Sequence, residues 1–134
     1  MIPRDTYLKQ LSEYIDKPFI KILSGLRRSG KSVLLMLLRE VLIVRGVEEG
    51  NIVYINFESF EHSEINSAAK LYNFIKTKIV NSQRYYILLD EIQEVASWEK
   101  AVNSFLVDFN ADVYITGSNS HLLSSELATY LAGR

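Results

Sequence analysis

The sequence contains no cysteine, and neither sign of charge dominates it. Without cysteine, a disulfide framework and a thiolate metal site are both excluded, and the absence is typical of a reducing cytoplasm. A net charge of −1 argues against a nucleic-acid surface spread over the whole molecule. The longest apolar run is too short to cross a bilayer, and residues 1–5 lack the apolar core of a signal peptide. We therefore expect a soluble cytoplasmic protein without a membrane partner. The charge does not support nucleic acid as a partner, although a local basic patch is compatible with it.

One glycine-rich stretch carries the strongest chemical signal. Residues 25–32 read GLRRSGKS, between an apolar run at 19–23 and a helical run at 33–38. A G-x-x-x-x-G-K-S loop between a strand and a helix aims backbone N–H groups at nucleotide phosphates, and the positive end of the helix lies behind them. Lys31 is expected to reach the β- and γ-phosphates, and the Ser32 hydroxyl to ligate Mg²⁺. The predicted phosphate-binding residues are Gly25, Arg28, Ser29, Gly30, Lys31, Ser32 and Val33.

Two adjacent acids follow a second apolar run, at residues 85–89. Carboxylates at the end of a buried strand are costly unless they emerge into a polar site, and ligands collect at the carboxyl edge of parallel sheets. Asp90 is predicted to hold Mg²⁺ through a bound water. Glu91, expected on the other side of the strand end, is predicted to accept a proton from water attacking the γ-phosphate. The alternative is a solvated strand end.

A third polar cluster, GSNS at residues 117–120, follows the strand predicted at 111–116. It can hydrogen-bond the attacking water or the γ-phosphate, and the alternative is a turn with a helix N-cap at Ser118 or Ser120.

Four weaker candidates lie elsewhere. Glu58 and Glu61 follow another strand and could touch a metal-bound water, although solvated acids are favoured there. Arg4 and Tyr7 could contact the base, although a solvated arginine and a core tyrosine are favoured.

Helical and strand patterns alternate along the chain. Helices are predicted at 5–16, 33–45, 97–109, within 63–83 and within 124–134, and strands at 19–23, 51–57, 85–91 and 111–116. Because strands and helices alternate, the sequence predicts a doubly wound α/β domain with a parallel sheet. Trp98 is expected in the core, and three lysines of the third helix, Lys70, Lys76 and Lys78, on a solvated face.

Several motifs then occur together: GLRRSGKS at 25–32, INF at 55–57, LLDEIQE at 88–94, WE at 98–99, ITGSNSHLLS at 115–124, and ELAT at 126–129 with GR at 133–134. In this combination the sequence resembles the prokaryotic AAA-type family often described only as predicted ATPases. The resemblance implies ATP as the nucleotide and a three-layer α/β/α P-loop ATPase core of strand order 5-1-4-3-2. It also implies that Asp90 and Glu91 form the Walker B pair and that Asn119 or Ser118 is the catalytic sensor.

The sequence departs from that family at its end. It stops at Arg134, where the family core continues to a fifth strand and a C-terminal region that resembles a nuclease-type domain. We therefore expect one C-terminally incomplete ATPase core, residues 1–134, whose strand 19–23 lies at an open edge. Such an edge pairs with other chains, so self-association or marginal stability is expected. Arg134 is a candidate for an arginine that contacts the γ-phosphate. Arg27 and Arg28 are further candidates, although a role in shaping the loop or in binding an acidic partner surface is favoured for them.

The leading functional hypothesis is a Mg²⁺-dependent ATPase whose cycle of ATP and ADP remodels an unknown protein partner. A non-hydrolysing nucleotide-binding module is the alternative. A small-molecule kinase is a weaker reading, since adjacent acids favour water as the nucleophile.

Overall fold

The computed structural model describes residues 4–23, 28–117 and 128–132. Up to residue 117, helices and strands alternate in the described ranges as the sequence predicts. The elements are α1 (Arg4–Ser12), β1 (Ile20–Leu23), α2 (Arg28–Val44), β2 (Ile52–Asn56), α3 (Ala68–Lys78), β3 (Tyr85–Asp90), α4 (Trp98–Asp108), β4 (Ala111–Thr116) and β5 (Ala128–Ala132). No helix in these ranges is both long and apolar enough to span a membrane.

All five strands run parallel, in the spatial order β2-β3-β4-β1-β5. Read from the other edge, this is the expected order 5-1-4-3-2. The strands are short runs of β-branched and aromatic residues, and β1, β3 and β4 are buried along their whole length. Strands buried on both faces are what a parallel sheet covered by helices requires. The predicted fold class is confirmed.

Two hydrophobic cores lie on opposite faces of the sheet. Alternate strand residues, such as Ile87 and Val113, pack with α3 and α4, whereas their neighbours Leu88 and Tyr114 pack with α1 and α2. This alternation is the period of two expected for β-strands. The result is the predicted three-layer α/β/α arrangement, and Trp98 lies in the core as expected.

The expectation of a missing fifth strand is wrong. Residues 128–132 form β5, which pairs in parallel with β1, so that Ile20 lies beside Ala128 and Ile22 beside Tyr130. The sequence pattern predicts a closing helix over the same residues, because a short apolar run fits either periodicity. Since β1 lies between β4 and β5, it is not an open edge, and the argument for self-association from that edge does not hold.

Element boundaries differ from the predictions at three helices. Helix α2 begins at Arg28 and takes in Gly30, Lys31 and Ser32, five residues before the predicted start. Helix α3 is shorter than predicted, because the Ser67 side chain accepts a hydrogen bond from Lys70 N–H at its start and ends the preceding loop there. Helix α1 ends at Ser12, and the chain then turns through Asp16, which has a left-handed backbone. The three lysines of α3 are exposed, as expected.

A polar cluster closes the amino end of the sheet on the face covered by α1 and α2. We call it the amino-end cluster, and it comprises Lys21, Asp112, Tyr114, Asp16, Arg84 and Tyr86. At its centre Lys21 Nζ and Asp112 Oδ1 form an ion pair at 2.5 Å, and both side chains are fully buried. Asp112 Oδ2 also accepts hydrogen bonds from Asp16 N–H at 2.8 Å and from the Tyr114 hydroxyl.

The rim of the amino-end cluster is held by Asp16. Its Oδ1 accepts hydrogen bonds from Arg84 Nε at 2.6 Å and from the Tyr86 hydroxyl at 2.8 Å. Burial opposes ionisation of Asp16, but these two donors outweigh it, so the pKa of Asp16 lies below its ordinary value. Burial, followed by the hydrogen bond to Asp16, raises the pKa of Tyr86 to about 12. Burial lowers the pKa of Lys21, although Asp112 counteracts it.

Candidate functional site

The carboxyl edge of the sheet brings together residues that are far apart in the sequence. Lys31 and Ser32 lie in the first turns of α2, which is fixed over the sheet by buried leucines such as Leu35 and Leu38. Asp90 is the last residue of β3, and Thr116 is the last residue of β4. Because parallel strands end at the same edge, the start of α2 meets both strand ends.

Asp90 is the centre of this edge. The side chain is fully buried and accepts three hydroxyl hydrogen bonds, from Ser32 Oγ to Oδ2 at 2.6 Å, from Tyr54 OH to Oδ2 at 2.8 Å, and from Thr116 Oγ1 to Oδ1 at 2.6 Å. Burial, together with the neighbouring Asp90 carboxylate, raises the pKa of Tyr54 above its ordinary value, so the phenol remains a donor. These donors fix the orientation of the carboxylate.

Lys31 is buried at this edge without an acidic partner. Only 5% of the residue is exposed, and its Nζ donates a hydrogen bond to the Gly117 carbonyl at 2.6 Å. In the described part of the chain, no carboxylate lies within ion-pair distance of Lys31. A buried cation held only by a neutral carbonyl is suited to an anionic ligand.

At Glu91, directly after β3, the backbone turns away from the sheet. Its backbone is left-handed, with φ 59° and ψ 54°, and its N–H donates to Thr116 Oγ1 at 2.9 Å. Strand alternation predicts the Glu91 side chain on the side of the strand opposite Asp90, but β3 ends at Asp90, so the turn sets the direction of Glu91 instead. Glu91 is 3% exposed, and its Oε1 accepts a hydrogen bond from Gln93 Nε2 at 2.8 Å.

Several predicted site residues lie outside the described residues, namely Gly25, Arg27, Ser118, Asn119, Ser120 and Arg134. Arg28 and Ser29 are described by their backbone only, at the first two positions of α2. Val33 is partly exposed and lines a cavity of about 310 Å³ that also includes Ser32 and Met36. First-turn N–H groups such as those of Arg28, Ser29 and Gly30 have no intrahelical acceptor, as a phosphate-binding helix start requires.

The structure describes the side chains of three of the four weaker candidates. Glu58 and Glu61 are exposed beyond the end of β2. Tyr7 is 8% exposed and packs in the core between α1, α2 and the sheet, which favours the structural reading of that residue. The Arg4 side chain lies outside the described part of the structure.

Sequence reasoning missed Tyr54, Thr116 and Gln93. Tyr54 and Thr116 were counted as ordinary strand residues, although strand alternation places them on the same face as Asp90 and near the same sheet edge. Marking the polar residues of that one face would have identified both. Gln93 lies within the LLDEIQE motif at 88–94, but its hydrogen bond to Glu91 depends on the turn after β3, which periodicity does not predict.

The donors at this edge fit a magnesium ion bound with a nucleotide. The described residues contain no cluster of three or more acidic, histidine or cysteine side chains of the kind that forms an all-protein metal cage. Mg²⁺ is commonly held by one or two carboxylates together with substrate phosphates and waters. Ser32 Oγ and Asp90 Oδ2, adjacent at 2.6 Å, supply a hydroxyl and a carboxylate oxygen of that type.

The protein has a parallel three-layer fold. A lysine and a serine lie at a helix start, and an acid lies at the end of the facing strand. Together these features define an α/β domain of the phosphate-loop class. The sequence model of the family described as "AAA domain" matches residues 17–134, and the chain belongs to that family. Membership supports nucleotide binding by an ATPase-like domain.

Two relatives extend beyond the part that this chain matches. A Haemophilus influenzae protein described as "Uncharacterized protein" is 52% identical over 100% of this chain and 34% of its own length. The Methanocaldococcus jannaschii "Uncharacterized protein MJ1544" is 37% identical over 86% of this chain and 24% of its own length. The chain therefore spans about a third or less of these relatives. No solved structure matches it.

Proposed function

We propose that this domain binds ATP with Mg²⁺ at the carboxyl edge of its sheet and hydrolyses it to ADP and phosphate. The observation that carries the proposal is the hydrogen bond between Ser32 Oγ and Asp90 Oδ2 at 2.6 Å, which joins the two motifs across 58 residues of sequence. Phosphate-loop enzymes place a hydroxyl and an acid together in this way to hold the metal of the nucleotide. Family membership supports the same conclusion at the level of nucleotide binding.

In this proposal the phosphates bind at the start of α2. The N–H groups of its first turn would donate to the β- and γ-phosphates, and Lys31 would exchange the Gly117 carbonyl for a phosphate oxygen. Ser32 and Asp90 would hold Mg²⁺, which would supply positive charge against the charge that develops on the phosphate oxygens. Because Lys31 is buried, its charge acts on the phosphates with little screening from solvent. Residues 25–29 complete the phosphate cradle in this proposal, and Val33 continues the helix start.

Glu91 acts on water in the same proposal. A water oxygen attacks the γ-phosphorus, one water proton passes to the Glu91 carboxylate, and the bond from the γ-phosphorus to the β–γ bridging oxygen breaks. Asn119 is the proposed sensor of the γ-phosphate. Arg134, Arg27 and Arg28 are the proposed sources of an arginine contact.

The wider activity is part of the proposal as well. We propose that residues 1–134 are the ATPase core of a longer protein, as the lengths of the relatives suggest. Hydrolysis in the core would then drive a rearrangement of a bound protein partner.

The test is the variant Glu91→Gln, which keeps the size of the side chain but removes its basicity. MgATP binding should persist, whereas release of free phosphate should fall by about 100-fold or more. Glu94→Gln is the matched control, because Glu94 is an exposed glutamate in the same turn.

Three results would oppose the proposal. Unchanged turnover in Glu91→Gln would remove Glu91 from the mechanism. Binding without hydrolysis by the wild-type protein would leave only a nucleotide-binding module. A phosphorylated acceptor in place of free phosphate would identify a kinase.

A further inference from the structure

The Glu91 carboxylate is held by one oxygen only. Oε1 accepts the hydrogen bond from Gln93 Nε2 at 2.8 Å, whereas Oε2 is buried and has no hydrogen-bond partner among the described residues. A buried carboxylate oxygen without a donor is unfavourable, and in a native protein it calls for a functional explanation.

Among the described residues, Gln93 likewise has one polar side-chain atom with a hydrogen-bond partner and one without. Its amide nitrogen donates to Glu91, and its Oε1 is buried without a partner in the described part of the chain. The orientation of the amide is determined by chemistry, because an ionised carboxylate only accepts hydrogen bonds and therefore selects the NH₂ end. Two buried acceptors thus lie on two side chains joined by one hydrogen bond.

The backbone holds this pair in place. Glu91 has a left-handed conformation that non-glycine residues rarely adopt, and its N–H is bound to Thr116, which in turn donates to Asp90. Such backbone strain persists only where the surroundings enforce it, and it is concentrated at functional sites. The turn from Glu91 to Glu94 is therefore held at the carboxyl edge of the sheet through Thr116.

We infer that Gln93 is a positioning residue for hydrolysis: it holds Oε1 of Glu91 so that Oε2 receives the proton of the attacking water. This inference rests on the proposed ATP hydrolysis and adds a residue that orients the base.

Two variants separate this hydrogen bond from simple packing. Gln93→Ala removes the donor, and turnover should fall about tenfold, since misplacing a catalytic group by a fraction of an ångström has costs of this order. Gln93→Glu keeps the length of the side chain but replaces the donor with an acceptor, so turnover should fall at least as far. The dissociation constant for MgATP should stay at the wild-type value in both variants. The unfolding midpoint should fall in both, because Gln93→Ala leaves Glu91 Oε1 without its donor and Gln93→Glu places a second carboxylate beside it. Glu94→Ala is the control and should match the wild type throughout.

A double-mutant cycle with Glu91→Gln completes the test. If Gln93 acts through Glu91, adding Gln93→Ala to Glu91→Gln should cause no further loss of single-turnover rate. The inference is overturned by wild-type turnover in Gln93→Ala, by a matching loss of nucleotide affinity, or by additive losses in the double variant. Failure of the wild-type protein to hydrolyse ATP would overturn the proposed function together with this inference, whereas the other results leave the proposed function intact.

Discussion

The face of the sheet covered by α1 and α2 carries charged side chains at both ends. They are paired with each other at the amino end and bound to neutral groups at the carboxyl end. At the amino end, Lys21 and Asp112 neutralise each other, and Arg84 pairs with Asp16. At the carboxyl end, Lys31 is bound to a carbonyl, whereas Asp90 is bound to three hydroxyls. Within the described residues no ion pair joins Lys31 to Asp90. The ion pair at the amino end contributes to stability, whereas the separate charges at the carboxyl end remain available to a ligand that carries both phosphate and metal.

The largest expected effect is at the amino end. Asp112→Asn leaves Lys21 buried without a countercharge, and the free energy of unfolding should fall by about 3–5 kcal/mol. Urea denaturation measures this change. Asp108→Asn is the matched control at an exposed aspartate that accepts a hydrogen bond from Tyr72. Equal stability of the two variants would mean that the buried pair does not hold the amino end together.

The next effect is at the carboxyl end and concerns binding. Lys31→Met should weaken MgATP binding by about 100-fold, or about 2.7 kcal/mol, because the point charge on the phosphates is lost. Its unfolding free energy should change by about 1 kcal/mol or less, since only a hydrogen bond to a carbonyl is removed. Calorimetric titration measures the affinity, with exposed Lys70→Met as the control. A Lys31→Met protein that loses much of its unfolding free energy yet binds MgATP with wild-type affinity would contradict the contrast between the two ends.

A smaller effect is expected from Tyr54→Phe, which removes one of the three donors to Asp90. The unfolding free energy should fall by about 1 kcal/mol, because the ring stays and only the hydrogen bond is lost. The raised pKa of Tyr54 keeps the phenol protonated, so the loss should be the same at pH 6 and pH 9. Tyr14→Phe is the control, since the Tyr14 hydroxyl has no hydrogen bond among the described residues. A loss that disappears at pH 9 would contradict this assignment.

The smallest effect is the pH dependence that Asp16 confers. Its folded pKa is depressed, so its contribution to stability is present above the unfolded pKa near 4 and is lost as pH falls through the lower folded pKa. Asp16→Asn should therefore be less stable than the wild type at pH 6, by at most about 1 kcal/mol for a partly exposed pair. The two proteins should converge in stability at low pH. Asparagine tolerates the left-handed backbone here, so a gap that widens in acid would contradict the account.

The fold was largely predictable because its signals are local. Runs such as residues 52–55 and 85–89 are too continuously apolar for an antiparallel strand with one solvated face, and the helical stripe through Trp98 has a single period. The end of the chain was not predictable in this way, since residues 128–132 are short and become a strand by pairing with β1. Tertiary pairing, not local pattern, determines their conformation.

The candidate site was predictable in its motifs but not in its supporting contacts. The spacing around Lys31 and the acids after β3 identify Ser32, Asp90 and Glu91 from sequence. The donors Tyr54 and Thr116 act only because parallel register places three strand ends together. The left-handed turn at Glu91 has no sequence signal, because a non-glycine residue rarely adopts that conformation.

The most direct test of the central claim is a crystal structure of the protein with Mg²⁺ and an ATP analogue that has a non-hydrolysable β–γ bridge. The account predicts that Lys31 Nζ leaves the Gly117 carbonyl and lies about 3 Å from a β- or γ-phosphate oxygen, with Mg²⁺ on Ser32 Oγ beside Asp90. An analogue bound elsewhere, with Lys31 still on Gly117 and Ser32 still on Asp90, would contradict it.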